Sequence, residues 1–125
     1  MDDMRELDTI QKTNKLNRVF AADEKGNGGA NHVYLVFCGE SDPDTQDVEL
    51  VQFQDGPRNE EDSINGLLDT DLLEIVRDRL HGFQQGEYAT RENAIALTHI
   101  ETALLWMNKR VEDRAARGVL GTNKK

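Results

Sequence analysis

The stretch from Thr90 to Gly118 contains no proline and no internal glycine, and its pattern predicts one long helix. Thr90 can cap the first free N–H groups, and Glu92 suits the positive end of the helix dipole. Gly118 is the natural left-handed terminator, with Arg114 and Arg117 in the last turn. Leu97, Ile100, Leu104, Met107 and Val111 follow one another at spacings of three and four, an apolar seam meant for another helix. At ~1.5 Å per residue the helix is about 40 Å long. Nothing else in the chain is long enough to cover it, and a partner subunit is the simplest cover.

Trp106, Arg110, Arg114 and Arg117 share a second stripe of the same helix, at spacings of four, four and three. An aromatic plate followed by three guanidinium groups suits a ligand with a base and phosphates. The alternative is plainer. Cations near a helix C-terminus favour the dipole and face water, and a tryptophan at helical spacing is usually core.

The 125 residues suffice for one domain with a real core. The formal charge of −9 argues against general binding to DNA, RNA or anionic membrane. The charge is uneven: residues 1–60 hold 6 basic and 13 acidic side chains, whereas residues 106–125 hold 6 basic and 2 acidic. Such a chain can bind a small anion without binding polyanions at large. Cys38 is the single cysteine, so no intrachain disulfide forms and a reducing compartment fits. The acidic N-terminus has no apolar stretch, no signal peptide is expected, and no run approaches the ~20 apolar residues of a membrane span. A cytoplasmic protein is expected.

In chain order, Leu7 to Lys12 alternates weakly and reads as a strand, as does Arg18 to Ala22. Lys25 to Asn31 is a glycine-rich loop whose backbone could approach a phosphate, though it lacks the ending of a P-loop and does not match the dinucleotide fingerprint. A hairpin connection is the plain alternative. His32 to Cys38 is the clearest strand, rich in β-branched and aromatic residues. Gly39 to Gln46 is an acidic turn with Pro43. In Asp47 to Gln54, Val48, Leu50 and Phe53 mark another strand, ended by Asp55-Gly56-Pro57. Arg58 to Gly66 is a polar connection. A first helix begins near Asp69 or Thr70 and ends around Phe83 to Gly86; if Asp71 is the cap, Glu74 completes a capping box. Gly86 to Ala89 turns the chain into the long helix. The fold class is therefore α+β in one domain, 1–125. A small antiparallel sheet over about 1–58 precedes an αα-hairpin over about 67–118, whose longer arm overhangs and whose seam calls for an oligomer.

Catalytic chemistry is not apparent. His32, His81 and His99 have no metal spacing, and His99-Ile100-Glu101-Thr102 misses the two-histidine phosphodiesterase motif by one position. Cys38 lies in an apolar strand, as a buried, inert thiol would. There is no nucleophile elbow, and an acidic surface explains the many carboxylates. No enzyme, cofactor or metal is expected.

Several runs carry a resemblance. They are Val51-Gln52-Phe53-Gln54-Asp55-Gly56-Pro57, Ile64-Asn65-Gly66-Leu67, Asp71 to Leu80 and Phe83-Gln84-Gln85-Gly86, followed by Arg91-Glu92-Asn93-Ala94, Glu101 to Arg110 and Arg114 to Thr122. With Gly28 to Tyr34 upstream, they resemble the first-described anti-Thoeris proteins of phages, which share a helical-hairpin domain with the anti-CBASS sponges. The resemblance covers about residues 26–125 and leaves the first 25 unplaced. It implies a sponge that sequesters, without degrading, the 1″–3′ glycocyclic ADP-ribose made by bacterial TIR-domain immune enzymes. It also implies a dimer or hexamer built through the hairpin, in the cytoplasm of the infected host. Some hexameric members also bind cyclic di- or trinucleotides at a second site.

Family binding positions carry onto Phe83, Asn93, Arg110 and Arg114. The resemblance has Phe83 stacking on adenine, Asn93 hydrogen-bonding a ribose or base edge, and Arg110 and Arg114 clamping the pyrophosphate, with Trp106 left to packing. Asn93 and Arg110 are 17 residues apart on one helix, about 25 Å, so the pocket must be shared between antiparallel subunits. Arg117 and the loop residues Gly28, Gly29, Ala30 and Asn31 are further candidates, for the second site. The competing expectations are a structural or regulatory phage oligomer without a ligand, and an enzyme that cleaves the cyclic signal.

Overall fold

The computed structural model describes residues 4–39 and 47–125, which form an α+β fold. The acidic turn expected at Gly39 to Gln46 lies, beyond Gly39 itself, outside the described residues. The chain falls into two compact units. One comprises residues up to Gly56 together with Glu60–Gly66, and the other Pro57–Asn59 together with Leu67–Lys125. No helix among the described residues is long and apolar enough to cross a membrane.

The first unit is a four-stranded antiparallel sheet in sequence order: β1 (Arg5–Glu6), β2 (Asn17–Ala21), β3 (Val33–Cys38) and β4 (Asp47–Gln52). Register follows side-chain alternation. Phe20 pairs with Leu35 and Leu35 with Leu50, while Arg18 pairs with Phe37 and Phe37 with Val48, so these six share a face. On it Phe20 and Phe37 meet edge to face at 5.3 Å, and the Arg18 guanidinium lies 5.0 Å over Phe20. Arg18 also grips Glu6 through two 2.9 Å bonds, which ties β1 to β2. Val48 and Leu50 alternate as expected yet remain exposed. The core lies on the opposite face. Ala21 is 1% exposed, and Tyr34 packs on Phe53 at 5.7 Å.

The strand expected over Leu7 to Lys12 does not form. Pairing stops at Leu7, whose N–H reaches the Val19 carbonyl, and the chain then turns on its own polar side chains. Thr9 donates to the Gln11 carbonyl, and Gln11 donates to those of Thr13 and Asn14, with Asn14 left-handed at φ +57°. Local side-chain-to-backbone bonds here win over a weak alternation.

The second unit is an antiparallel pair of helices, α1 (Asp69–Gln84) and α2 (Arg91–Ala116). Thr90 caps α2, its Oγ1 accepting the Asn93 N–H at 3.0 Å, and Gly118 follows the helix at φ +73°. α1 starts at Asp69, as expected, but its capping differs. The cap position is Leu68, and Asp71 sits three residues inside, reaching back to accept the Leu68 N–H at 2.8 Å. Leucine offers no side-chain acceptor, so only the reciprocal half of a capping box exists. Glu74 instead pairs with Arg77.

Two glycines give opposite expectations for the same substitution. A Cβ at Gly66 would sit 2.5 Å from the Gln52 carbonyl oxygen and 2.7 Å from Phe53 backbone, whereas one at Gly82 inside α1 meets nothing within 4 Å. Gly66→Ala should destabilise the protein by roughly 1–3 kcal/mol through forced backbone displacement. Gly82→Ala should stabilise it by roughly 0.5–1 kcal/mol through helix propensity. Urea unfolding midpoints of the two variants check both signs.

Candidate functional site

The sequence candidates fall into three places. Phe83 and Asn93 lie at the turn end of the hairpin, Phe83 in the last turn of α1 and Asn93 in the first turn of α2. Phe83 is 40% exposed, and the Arg79 guanidinium, one turn earlier, lies 5.5 Å from its ring centroid. Helical periodicity places a cation there, but the expectations did not include it. Gln84 spans the turn: its Nε2 donates to the Thr90 carbonyl and its Oε1 accepts the Thr90 N–H, both at 3.0 Å.

The arginines lie at the far end of α2. The helix is unbroken between Asn93 and Arg110, so about 25 Å separates the two groups in one chain. Trp106, Lys109, Arg110, Asp113, Arg114, Arg117 and Lys125 line a concavity of about 480 Å³. Trp106 is 67% exposed, so in the single chain it is not core. Lys109 is neutralised by Asp113 at 3.1 Å. Arg110 is exposed and has no hydrogen-bond or ion-pair partner among the described residues.

Arg114 is in a different state. It is 8% exposed, and its two terminal nitrogens donate to the Lys124, Val119 and Thr122 carbonyls at 2.8, 3.0 and 3.0 Å. It folds the segment after α2 back onto the helix. Left-handed glycines at Gly118 and Gly121 permit that reversal. Those two glycines are the only sequence signal, because the partners of Arg114 are backbone carbonyls. Arg117 donates to the Lys125 carbonyl at 2.6 Å.

The glycine loop belongs to the sheet unit. Gly28 and Gly29 are left-handed within a short 3₁₀ turn, and the Gly26 and Gly29 N–H groups bond inside the loop, to the Ala30 and Gly26 carbonyls. Asn31 is buried and fully engaged. Its Oδ1 accepts from Arg5 at 2.9 Å, and its Nδ2 donates to the backbone carbonyl and carboxylate of Asp23. Burial pushes the Asp23 carboxyl up, but bonds from Asn31 and from the His32 and Val33 N–H groups outweigh it and hold it below its ordinary value. This knot ties residues near the chain start to the loop.

Between the helices a groove of about 680 Å³ is lined from α1 by Thr70, Asp71, Glu74 and Arg77. From α2 it is lined by Glu101, Asn108 and the apolar Leu104, Leu105, Met107 and Val111. Leu105 is 71% exposed. At its edge Arg77 donates to Glu101 at 2.8 Å, and the His81 ring nitrogen lies 3.2 Å from the same Glu101 oxygen. No group of three or more metal-binding side chains occurs among the described residues.

Comparison with known proteins places the hairpin. Residues 46–112 match the model of a family described as "Acb2/Tad1, hairpin domain". A curated relative, "Thoeris anti-defense 1" of Bacillus phage SBSphiJ7, is 48% identical over 78 residues, which is 62% of this chain and 54% of that protein. The chain thus spans about half the length of the relative it matches. The resemblance drawn from the motifs is confirmed for the matched segment. Phe83, Asn93 and Arg110 lie inside the segment that matches the family, and Arg114 and Arg117 lie beyond it.

The Arg77 and His81 hydrogen bonds hold the Glu101 carboxyl below its ordinary value near 4.5, against a smaller opposing effect of desolvation. A carboxyl depressed on folding contributes stability that is present above its unfolded value and is lost as pH falls through the folded one. The helical unit should therefore lose stability below about pH 4.5. Glu101→Gln should flatten that part of the profile, as read from unfolding midpoints between pH 3 and 7.

Proposed function

The chain belongs to the Acb2/Tad1 hairpin-domain family, and from that membership we propose that it is a phage anti-defence sponge. It binds a cyclic nucleotide immune signal, 1″–3′ glycocyclic ADP-ribose, in the cytoplasm of the infected host and releases it unchanged on denaturation. Its similarity to the phage protein "Thoeris anti-defense 1" supports the anti-Thoeris role.

One observation carries the ligand class: an unpaired, exposed guanidinium, Arg110, in a cation-lined concavity beside an exposed Trp106. A free arginine fork on a chain of net charge −9 suits a small anion with paired oxygens and disfavours a polyanion. In this reading Arg110 makes the direct pyrophosphate contact. Arg114 adds charge and fixes the folded-back segment that walls the concavity, and Phe83 and Asn93 take the base and ribose. Because Phe83 and Asn93 are about 25 Å from Arg110 in one chain, each pocket draws on two chains packed antiparallel through the hairpin. The uncovered seam around Leu104, Leu105, Met107 and Val111 supports that packing. In this reading the protein is a binder, and capture alone denies the effector its signal.

The test is capture and release. Purified protein is mixed with 1″–3′ glycocyclic ADP-ribose, free ligand is removed, the protein is heat-denatured, and the supernatant is chromatographed. Depletion followed by recovery of the intact molecule is expected. A new product peak would make the protein an enzyme. No depletion by this ligand or by a panel of cyclic di- and trinucleotides would leave a structural oligomer. Arg110→Ala should weaken capture by about 1.5–3 kcal/mol, the worth of a charge-assisted contact, by calorimetry; unchanged affinity removes Arg110 from the site.

A further inference from the structure

We infer that Gln84 is a positioning residue for the ligand site, its side-chain amide clasping Thr90 so that Phe83 and Asn93 keep one fixed relation across the hairpin turn. The inference rests on the capture reading above.

Gln84 ends α1, directly after Phe83. Its amide presents a donor and an acceptor side by side, as a peptide edge does, and both are matched by the carbonyl and N–H of Thr90 at 3.0 Å. The pair resembles one rung of an antiparallel ladder in which a side chain replaces one strand. Thr90 has a second bond to make: its hydroxyl accepts the Asn93 N–H at 3.0 Å. A continuous path of covalent and hydrogen bonds therefore runs from Phe83 through Gln84 and Thr90 to Asn93.

The turn itself holds little. Within residues 85–89 the backbone bonds are those of Gln85, Gly86 and Ala89 N–H to carbonyls three residues back, at 3.2–3.3 Å. Gln84 is not needed for the helix, since leucine, methionine or lysine would serve α1 as well. What the amide adds is a lock between two helix ends. A ligand that touches both Phe83 and Asn93 gains from that lock, because their relation is settled before binding.

Two substitutions separate the roles. Gln84→Glu keeps shape and acceptor but, ionised, cannot donate to the Thr90 carbonyl. Gln84→Met keeps length and helix propensity and removes both bonds. Affinity for 1″–3′ glycocyclic ADP-ribose is measured by calorimetry in the full-length protein, for each variant alone and combined with Phe83→Ala, Asn93→Ala or Arg110→Ala. Each variant alone should bind roughly five- to tenfold more weakly, the scale of one neutral hydrogen bond. The loss should shrink on top of Phe83→Ala or Asn93→Ala and persist in full on top of Arg110→Ala. An equal loss in every background would mean general loosening and would overturn the assignment. Tight wild-type binding that neither variant weakens would overturn it while leaving the capture reading intact. Wild-type protein that binds none of this ligand would overturn both.

Discussion

Among the described residues, neither helix fully buries a single apolar side chain, and the only fully buried apolar residue in either unit is Ala21. The helices meet through half-buried apolar side chains, among them Leu72, Leu73, Leu80, Leu97, Ile100 and Leu104. Polar devices add direction to that contact at points along its length. At the turn, Gln84 and Thr90 join the helix ends. Further along, Arg77 reaches across to Glu101, with His81 alongside. At the far end, buried Arg114 gathers three carbonyls of the segment that follows. Hydrogen bonds are directional where apolar contact is not, so the first two points favour one register of the helix pair, and the third fixes the segment after α2.

The same economy sorts the cations. Arg18, Arg77 and Lys109 face carboxylates, Arg114 faces carbonyls, and Arg79 lies over an aromatic ring. Arg110 has no such counterpart among the described residues, although it lies one turn from Arg114 on the same stripe. Equal spacing on a helix thus hides unequal states. An arginine already desolvated and bonded has little left to give a ligand, whereas a solvated, unpaired one keeps its full donor fork.

Much of this was legible in the sequence, for reasons that differ by element. The long helix was read with its cap and its glycine terminator because Thr90 and Gly118 act on their immediate neighbours. Three of the four strands were placed within a residue or two, since alternation is also local. The misses came where two local signals competed. Leu7 to Lys12 alternates, but Thr9 and Gln11 bond to nearby backbone and win. Asp71 can cap a helix or reach back to one, and it reaches back. The candidate residues were named by stripe and resemblance. Whether a guanidinium on that stripe is free depends on backbone carbonyls some five to ten residues away, which leave no side-chain signature.

The clasp at Thr90 has a consequence for how this hairpin can diverge. Because a side chain of α1 grips the first residue before α2, the intervening residues, Gln85 to Ala89, do not set the turn geometry alone, and their own bonds use backbone rather than side chains. Tyr88 at that rim is largely exposed. Mutational drift can therefore rewrite the composition and bulk of the rim while the two helix ends stay in place. A fixed frame beneath a replaceable edge lets the rim vary without refolding the hairpin.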